Sequence, residues 1–169
     1  MMPNRRLTNG LGLLVCVGLL GYAYYAQMHL HLEPCPLCIF QRIGVAGIGL
    51  AFLLATLHNP RGWGSRIYGL LIVVAATATL GVAARNVWIQ HLPADQVPTC
   101  GASLSYLLDI FPLTQVILTV LTGSGECAEI TWTLFGLSMP AWVGIAALGL
   151  GGWGIWANFR QIRRPSVRF

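Results

Sequence analysis

The sequence predicts an all-α integral membrane protein. Four transmembrane helices form a bundle with both termini cytoplasmic, and a short interfacial helix lies in a long second outer loop. Three observations carry that expectation. Only 9% of the 169 residues are charged and 56% are hydrophobic, whereas about 25% of an ordinary soluble domain is charged. Four runs of predominantly apolar residues approach the roughly 20 that cross a bilayer as a helix. All ten basic residues are arginine, and eight of them fall at one end of a four-span arrangement. So sparse a charge cannot cover a soluble domain of this size, and so apolar a chain is not disordered. The net charge of +5 rests on too few residues to suggest a nucleic-acid surface.

The first span covers about residues 10–28, after Arg5 and Arg6. It is expected to be a span rather than a cleaved leader, because Tyr22, Tyr24 and Tyr25 crowd the stretch where small residues would be needed. A short outer loop, about 29–37, leads to the second span at about 38–57, which carries Gln41 and Arg42 near its start. Gly44, Gly47 and Gly49 suggest close helix packing there. Arg61 and Arg66 mark the turn before the third span, about 67–84. A long outer loop, about 85–138, precedes the fourth span at about 139–157, and Arg160, Arg163, Arg164 and Arg168 follow it. Trp63, Tyr68, Trp88, Trp142 and Trp156 sit near span ends, as interfacial anchors do.

The positive-inside rule therefore places both termini in the cytoplasm, and all five acids fall on the opposite side. Residues 104–121 are apolar enough to raise a fifth span, but Asp109 and Pro112 interrupt them. The remainder, 113–121, would be about 14 Å long as a helix against about 30 Å of hydrocarbon, so it is expected to lie in the interface. The whole chain, 1–169, forms a single membrane domain on this reading.

Of five cysteines, Cys16 lies inside the first span and suits inert packing. Cys35 and Cys38 form Cys-Pro-Leu-Cys at the start of the second span, and Cys100 and Cys127 lie in the long loop. The topology puts these two pairs together outside the cytoplasm, where thiols tend to be oxidised. Adjacent pairs can exchange disulfides through mixed intermediates. A helix start also favours the thiolate form. Arg42, one turn beyond Cys38 on the same helix face, would stabilise a thiolate or a developing oxyanion.

Other readings of these residues stay open at this point. Two static disulfides, or a four-cysteine zinc site, fit the same count. Arg42 could simply snorkel to the interface. Covalent haem would need His after Cys38, where Ile39 stands. His29, His31, His58 and His91 do not pair at matched depths for axial haem ligation. Arg85 and His91, at the start of the long loop, are weaker candidates for a redox-cofactor site.

The pattern closely resembles the bacterial disulfide bond formation protein B (DsbB) family over essentially the whole chain. Glu-Pro-Cys-Pro-Leu-Cys-Ile-Phe-Gln-Arg at 33–42 and Gly-Ser-Gly-Glu-Cys-Ala-Glu at 123–129 carry the resemblance, extended by Trp132 and Phe-Gly-Leu-Ser-Met-Pro-Ala-Trp at 135–142.

The resemblance implies a quinone-dependent protein-disulfide oxidoreductase of the bacterial inner membrane, with its active cysteines on the periplasmic side. It implies reoxidation of a periplasmic thioredoxin-fold thiol oxidase (DsbA-like), with electrons passed to ubiquinone or menaquinone and no metal required. By motif, Cys100 receives the partner's thiolate and Cys127 is its resting disulfide mate. Cys127 then pairs with Cys35, which frees Cys38 toward the quinone beside Arg42. Gln41 departs from the family, where an acidic residue often precedes the arginine. A DsbB-like paralogue serving a dedicated partner would share these motifs.

Overall fold

A computed structural model of the chain describes residues 4–32, 34–60, 62–93, 96, 109–110, 112, 114–116, 118 and 125–159. Four helices among the described residues are long and apolar enough to cross a membrane. They are α1 (Arg5–His29), α2 (Pro36–His58), α3 (Trp63–Gln90) and α4 (Met139–Phe159). Each is longer than its apolar run, because a helix continues through flanking polar residues as long as its backbone bonds close. The difference is largest in α3, which runs to Gln90 and so carries Arg85 within the helix. Its 28 residues would span about 42 Å, more than the roughly 30 Å of hydrocarbon.

Local chemistry sets the helix ends. Asn4 caps α1 by accepting from the Arg6 backbone N–H at 3.4 Å. Pro36 occupies the first turn of α2, where its missing N–H costs nothing. Asn59 closes α2 at φ 40°, in the left-handed region that Asn tolerates better than most residues.

Neighbours in sequence are neighbours in space. α2 packs between α1 and α3, α3 packs extensively on α4, and α4 returns to touch α1. One buried cluster joins all four helices through Cys16, Ile48, Phe52, Ile72 and Leu150. Small residues allow the approach. A Cβ at Gly154 would sit 2.5 Å from Ile72 Cγ2. Gly44 abuts Thr79, and a Cβ on Gly49 would come 3.2 Å from Cys16 Cβ, whereas Gly47 meets nothing. Little else of the spans is covered: from 22% to 39% of each apolar window is buried within the bundle. The remaining apolar surface faces outward, as lipid requires and water would penalise.

At the end that holds Arg5 and Phe159, polar groups are buried in mutual contact. Asn9 Nδ2 donates to Asn158 Oδ1 at 3.3 Å, and Asn158 Nδ2 donates back to Asn9 Oδ1 at 3.1 Å, both residues being fully buried. Ser65 Oγ donates to the Asn158 carbonyl at 3.1 Å, and Trp153 Nε1 to the Thr8 carbonyl at 2.9 Å. These bonds tie α1, α3 and α4 together.

One element was not foreseen in an all-α chain. Thr133–Leu134 (β1) and Leu137–Ser138 (β2) form a two-stranded antiparallel hairpin that leads directly into α4. The expected interfacial helix over 113–121 lies largely outside the described residues. Of these, Val116 is buried against Leu37, Ile89 and Cys127.

Candidate functional site

The opposite end of the bundle opens into a cleft of about 170 Å³, walled by α1, α2, the end of α3 and the start of α4. Cys35, Cys38, Arg42 and Cys127 all line it. Cys35 is the N-cap of α2 and has no side-chain cap bond, so its sulfur is available for other contacts. Cys38 follows in the first turn. The Cys35 thiol donates to Cys38 Sγ at 2.9 Å. The fully buried Asn86 amide donates to both sulfurs, at 3.6 Å to Cys35 and 3.5 Å to Cys38.

Cys127 reaches the same place from the long loop. It sits in a short 3-10 turn, Gly125–Cys127, is 1% exposed, and packs with Leu37, Ile89 and Val116. Cys35 packs against the same buried cluster, with the Cys127 side chain beside it. That contact pulls the Cys35 thiol down. The hydrogen bond to Cys38, burial and the Cys38 charge outweigh it and push Cys35 up to about 11. When both are reduced, Cys35 is therefore the thiol that holds its proton more tightly than usual. Cys100 lies outside the described residues.

Arg42 is held from α1. Its Nη1 donates to Gln27 Oε1 at 2.5 Å and its Nη2 to the Ala23 carbonyl at 3.2 Å, with the guanidinium 5.5 Å from the Tyr24 ring centre. Anchored in this way, it keeps its charge at the cleft wall instead of extending into water. Gln41 is 3% exposed, and its Nε2 is buried without a partner. The buried Asn86 Oδ1 is likewise unpartnered. A buried polar atom without a partner is costly. Here a donor and an acceptor, on two residues that line the cleft, are both left without a protein partner, which suits a ligand with a carbonyl or hydroxyl group.

The other candidates lie elsewhere. His91 caps α3 with its Nδ1 2.8 Å from the Val87 carbonyl, and it lines a separate apolar groove between α3 and α4. Arg85 is exposed on α3 and does not line the cleft. Among the described residues, no group of three or more His, Cys, Asp or Glu could hold a metal ion.

The sequence reading missed Asn86, Gln27 and Gln90. Gln90 accepts from Ser138 Oγ at 2.7 Å and so ties the start of α4 to α3. A usable signal existed for α3, where amides at 86 and 90 share one helix face in an otherwise apolar stretch. Gln27 could not have been found from spacing, because its partner is on another helix.

Comparison with known proteins points one way. The family model described as "Disulfide bond formation protein DsbB" matches residues 5–157. A protein from Marinobacter nauticus named "Disulfide bond formation protein B" is 54% identical over 136 residues, covering 80% of this chain and 81% of that protein. One of the same name from Xanthomonas campestris pv. campestris is 51% identical over 160 residues, 94% of this chain and 92% of its own length. Another, from Nitrosococcus oceani, is 49% identical over 146 residues and 86% of each chain.

Proposed function

The chain belongs to the DsbB family of disulfide bond formation proteins, and from that premise we propose that it couples a periplasmic thiol oxidase to membrane quinone. As a family member it is a multi-pass membrane protein with disulfide oxidoreductase activity. The finer reading places it in the bacterial inner membrane as a single domain over 1–169. Both termini are cytoplasmic, and the segments at about 29–37 and 85–138, which take in the start of α2 and the last turns of α3, are periplasmic. The arginine distribution supports that orientation.

The observation that carries the proposal is the cleft, where a motif cysteine pair, a loop cysteine and an arginine meet. On this reading the reduced DsbA-like partner attacks the Cys100–Cys127 disulfide at Cys100. Resolution of the mixed disulfide returns an oxidised partner and leaves two thiols. The Cys127 thiolate then attacks Cys35 in the Cys35–Cys38 disulfide, forming Cys35–Cys127 and releasing Cys38 as a thiolate. The closeness of Cys127 to Cys35 supports this attack. The elevated Cys35 favours its staying protonated, or bonded, while Cys38 carries the charge.

The Cys100 thiolate then attacks Cys127, restoring Cys100–Cys127 and releasing Cys35 as a thiol. Ubiquinone or menaquinone, the acceptor substrate, oxidises the Cys35 and Cys38 thiols back to their disulfide and takes up the two electrons and two protons. Gln41, Asn86 and Arg42 would hold its head group. Arg42 would stabilise negative charge on the Cys38 sulfur or on a reduced oxygen. The apolar wall built by α1 and α4 suits an isoprenoid substrate.

The test is oxidation of a reduced thioredoxin-fold partner by the purified protein with added quinone, repeated with Cys38→Ser. Quinone-dependent turnover that disappears in Cys38→Ser supports the assignment. Partner oxidation that ignores quinone, or survives loss of Cys38, overturns it. Static disulfides would show no turnover at all.

A further inference from the structure

The hairpin before α4 has no part in the thiol relay, yet its position has a physical consequence. Phe135 and Gly136 join β1 to β2 with φ of 53° and 79°. Two positive φ angles mark the tight turn that matches strand twist, and such positions usually hold Asn, Asp or Gly. Here a phenylalanine occupies one of them, 89% exposed. Ile130, Leu134 and Leu137 add exposed apolar surface around it.

Two contacts fix the depth of this hairpin. Trp142, in the first turn of α4, donates its indole N–H to the Leu134 carbonyl at 3.1 Å. The residue before Phe135 therefore lies beside the first turn of a spanning helix, not above it. On the other flank, Trp132 meets Tyr22 edge-on at 6.1 Å. Tyr22 is seven residues before the end of α1 at His29, about 10 Å down the helix axis. The two ends of β1 are thus level with helix ends that the bilayer must cover. Backbone at that depth has to satisfy itself. The hairpin does so through the pairings Thr133 with Ser138 and Leu134 with Leu137, and through the Trp142 indole.

We propose that this hairpin is a re-entrant interfacial wedge, with Phe135, Leu134 and Leu137 inserted at the headgroup–acyl boundary beside α4. Continuity argues for lipid as the occupant, since β2 ends at Ser138 and α4 begins at Met139 without a linker. A bulky apolar ring exposed on a strained turn is penalised in water and rewarded at an interface. The wedge would also hold Trp132 and Ser138, which line the cleft, at a fixed height in the membrane. The competing occupant of this surface is a soluble protein.

The test installs a photoreactive benzoyl-phenylalanine at position 135 in the full chain, reconstituted in vesicles of phosphatidylcholine and phosphatidylglycerol. Position 96, where Gln96 is an exposed turn residue of the long loop, carries the same label as reference. The analogue keeps an aromatic ring at an exposed site, so the fold is retained. Irradiation should give lipid adducts at 135 severalfold above those at 96, unchanged when a reduced thioredoxin-fold protein is added. Lipid adducts no more abundant than at 96, or their replacement by adducts to the added protein, would overturn the proposal.

Discussion

Removing Cys38 should make Cys35 more reactive, although the pair is usually pictured as mutually activating. Cys35 is pulled down by its contact with Cys127, and is pushed up by its hydrogen bond to Cys38, by burial and by the Cys38 charge, to about 11. In Cys38→Ala the hydrogen bond and the charge that raise it vanish, while burial stays and so do both lowering contacts, from Cys127 and from the backbone at position 38. The thiol should then return toward its ordinary value of 9.0. At pH 8 a thiol near 11 is ionised to about one part in a thousand, and a thiol near 9 to about one in ten. Alkylation needs the thiolate, so its rate should rise by up to about a hundredfold. The assay treats fully reduced protein with iodoacetamide at pH 8 and follows the peptide that carries Cys35 by mass. Equal or slower labelling in Cys38→Ala would refute the reasoning and leave burial as the only cause. In the unaltered protein, labelling should keep climbing through pH 9 to 11. The folded reduced form keeps a proton in that window that the unfolded chain gives up. Its contribution to stability is whole below pH 9 and lost as the pH rises toward 11.

Three more outcomes can be checked. Arg42→Ala should raise the quinone KM and lower turnover by about tenfold to a hundredfold, the worth of a hydrogen bond to a charged group. Formation of the mixed disulfide with the partner should be unaffected, and equal loss of both would remove the quinone role. Asn9→Ala strands the buried Asn158 amide and should cost about 1–3 kcal/mol in detergent unfolding, whereas Asn9→Leu with Asn158→Leu should recover most of it. Gly154→Leu drives a side chain into Ile72 and should destabilise by at least about 1–3 kcal/mol, with partial rescue by Ile72→Ala, read from the melting temperature.

Hydropathy made the four spans legible because lipid leaves a helix few ways to be polar. It located their ends poorly. The stretch from Arg85 to Gln90 reads as loop by composition, yet continues α3 because its amides face a cleft rather than lipid. The Cys-Pro-Leu-Cys motif and Arg42 were readable because they lie one helical turn apart. Asn86 and Gln27 were not, since their meaning depends on which helix faces them. The hairpin escaped notice because Phe135 occupies a turn position where a glycine or asparagine would have announced itself.

The close seat of Gly49 on Cys16 bears on fidelity. A protein that passes disulfides between cysteines is exposed to short circuits, since any spare thiol within reach can steal an equivalent and stall the chain of exchanges. Cys16 is 1% exposed and enclosed by Val45, Ile48 and Phe52, with the backbone of α2 pressed against it where Gly49 has no side chain. No incoming sulfur can align for attack there. The fifth cysteine is insulated by packing, and a larger residue at 49 would loosen that seal and open a leak in the electron path.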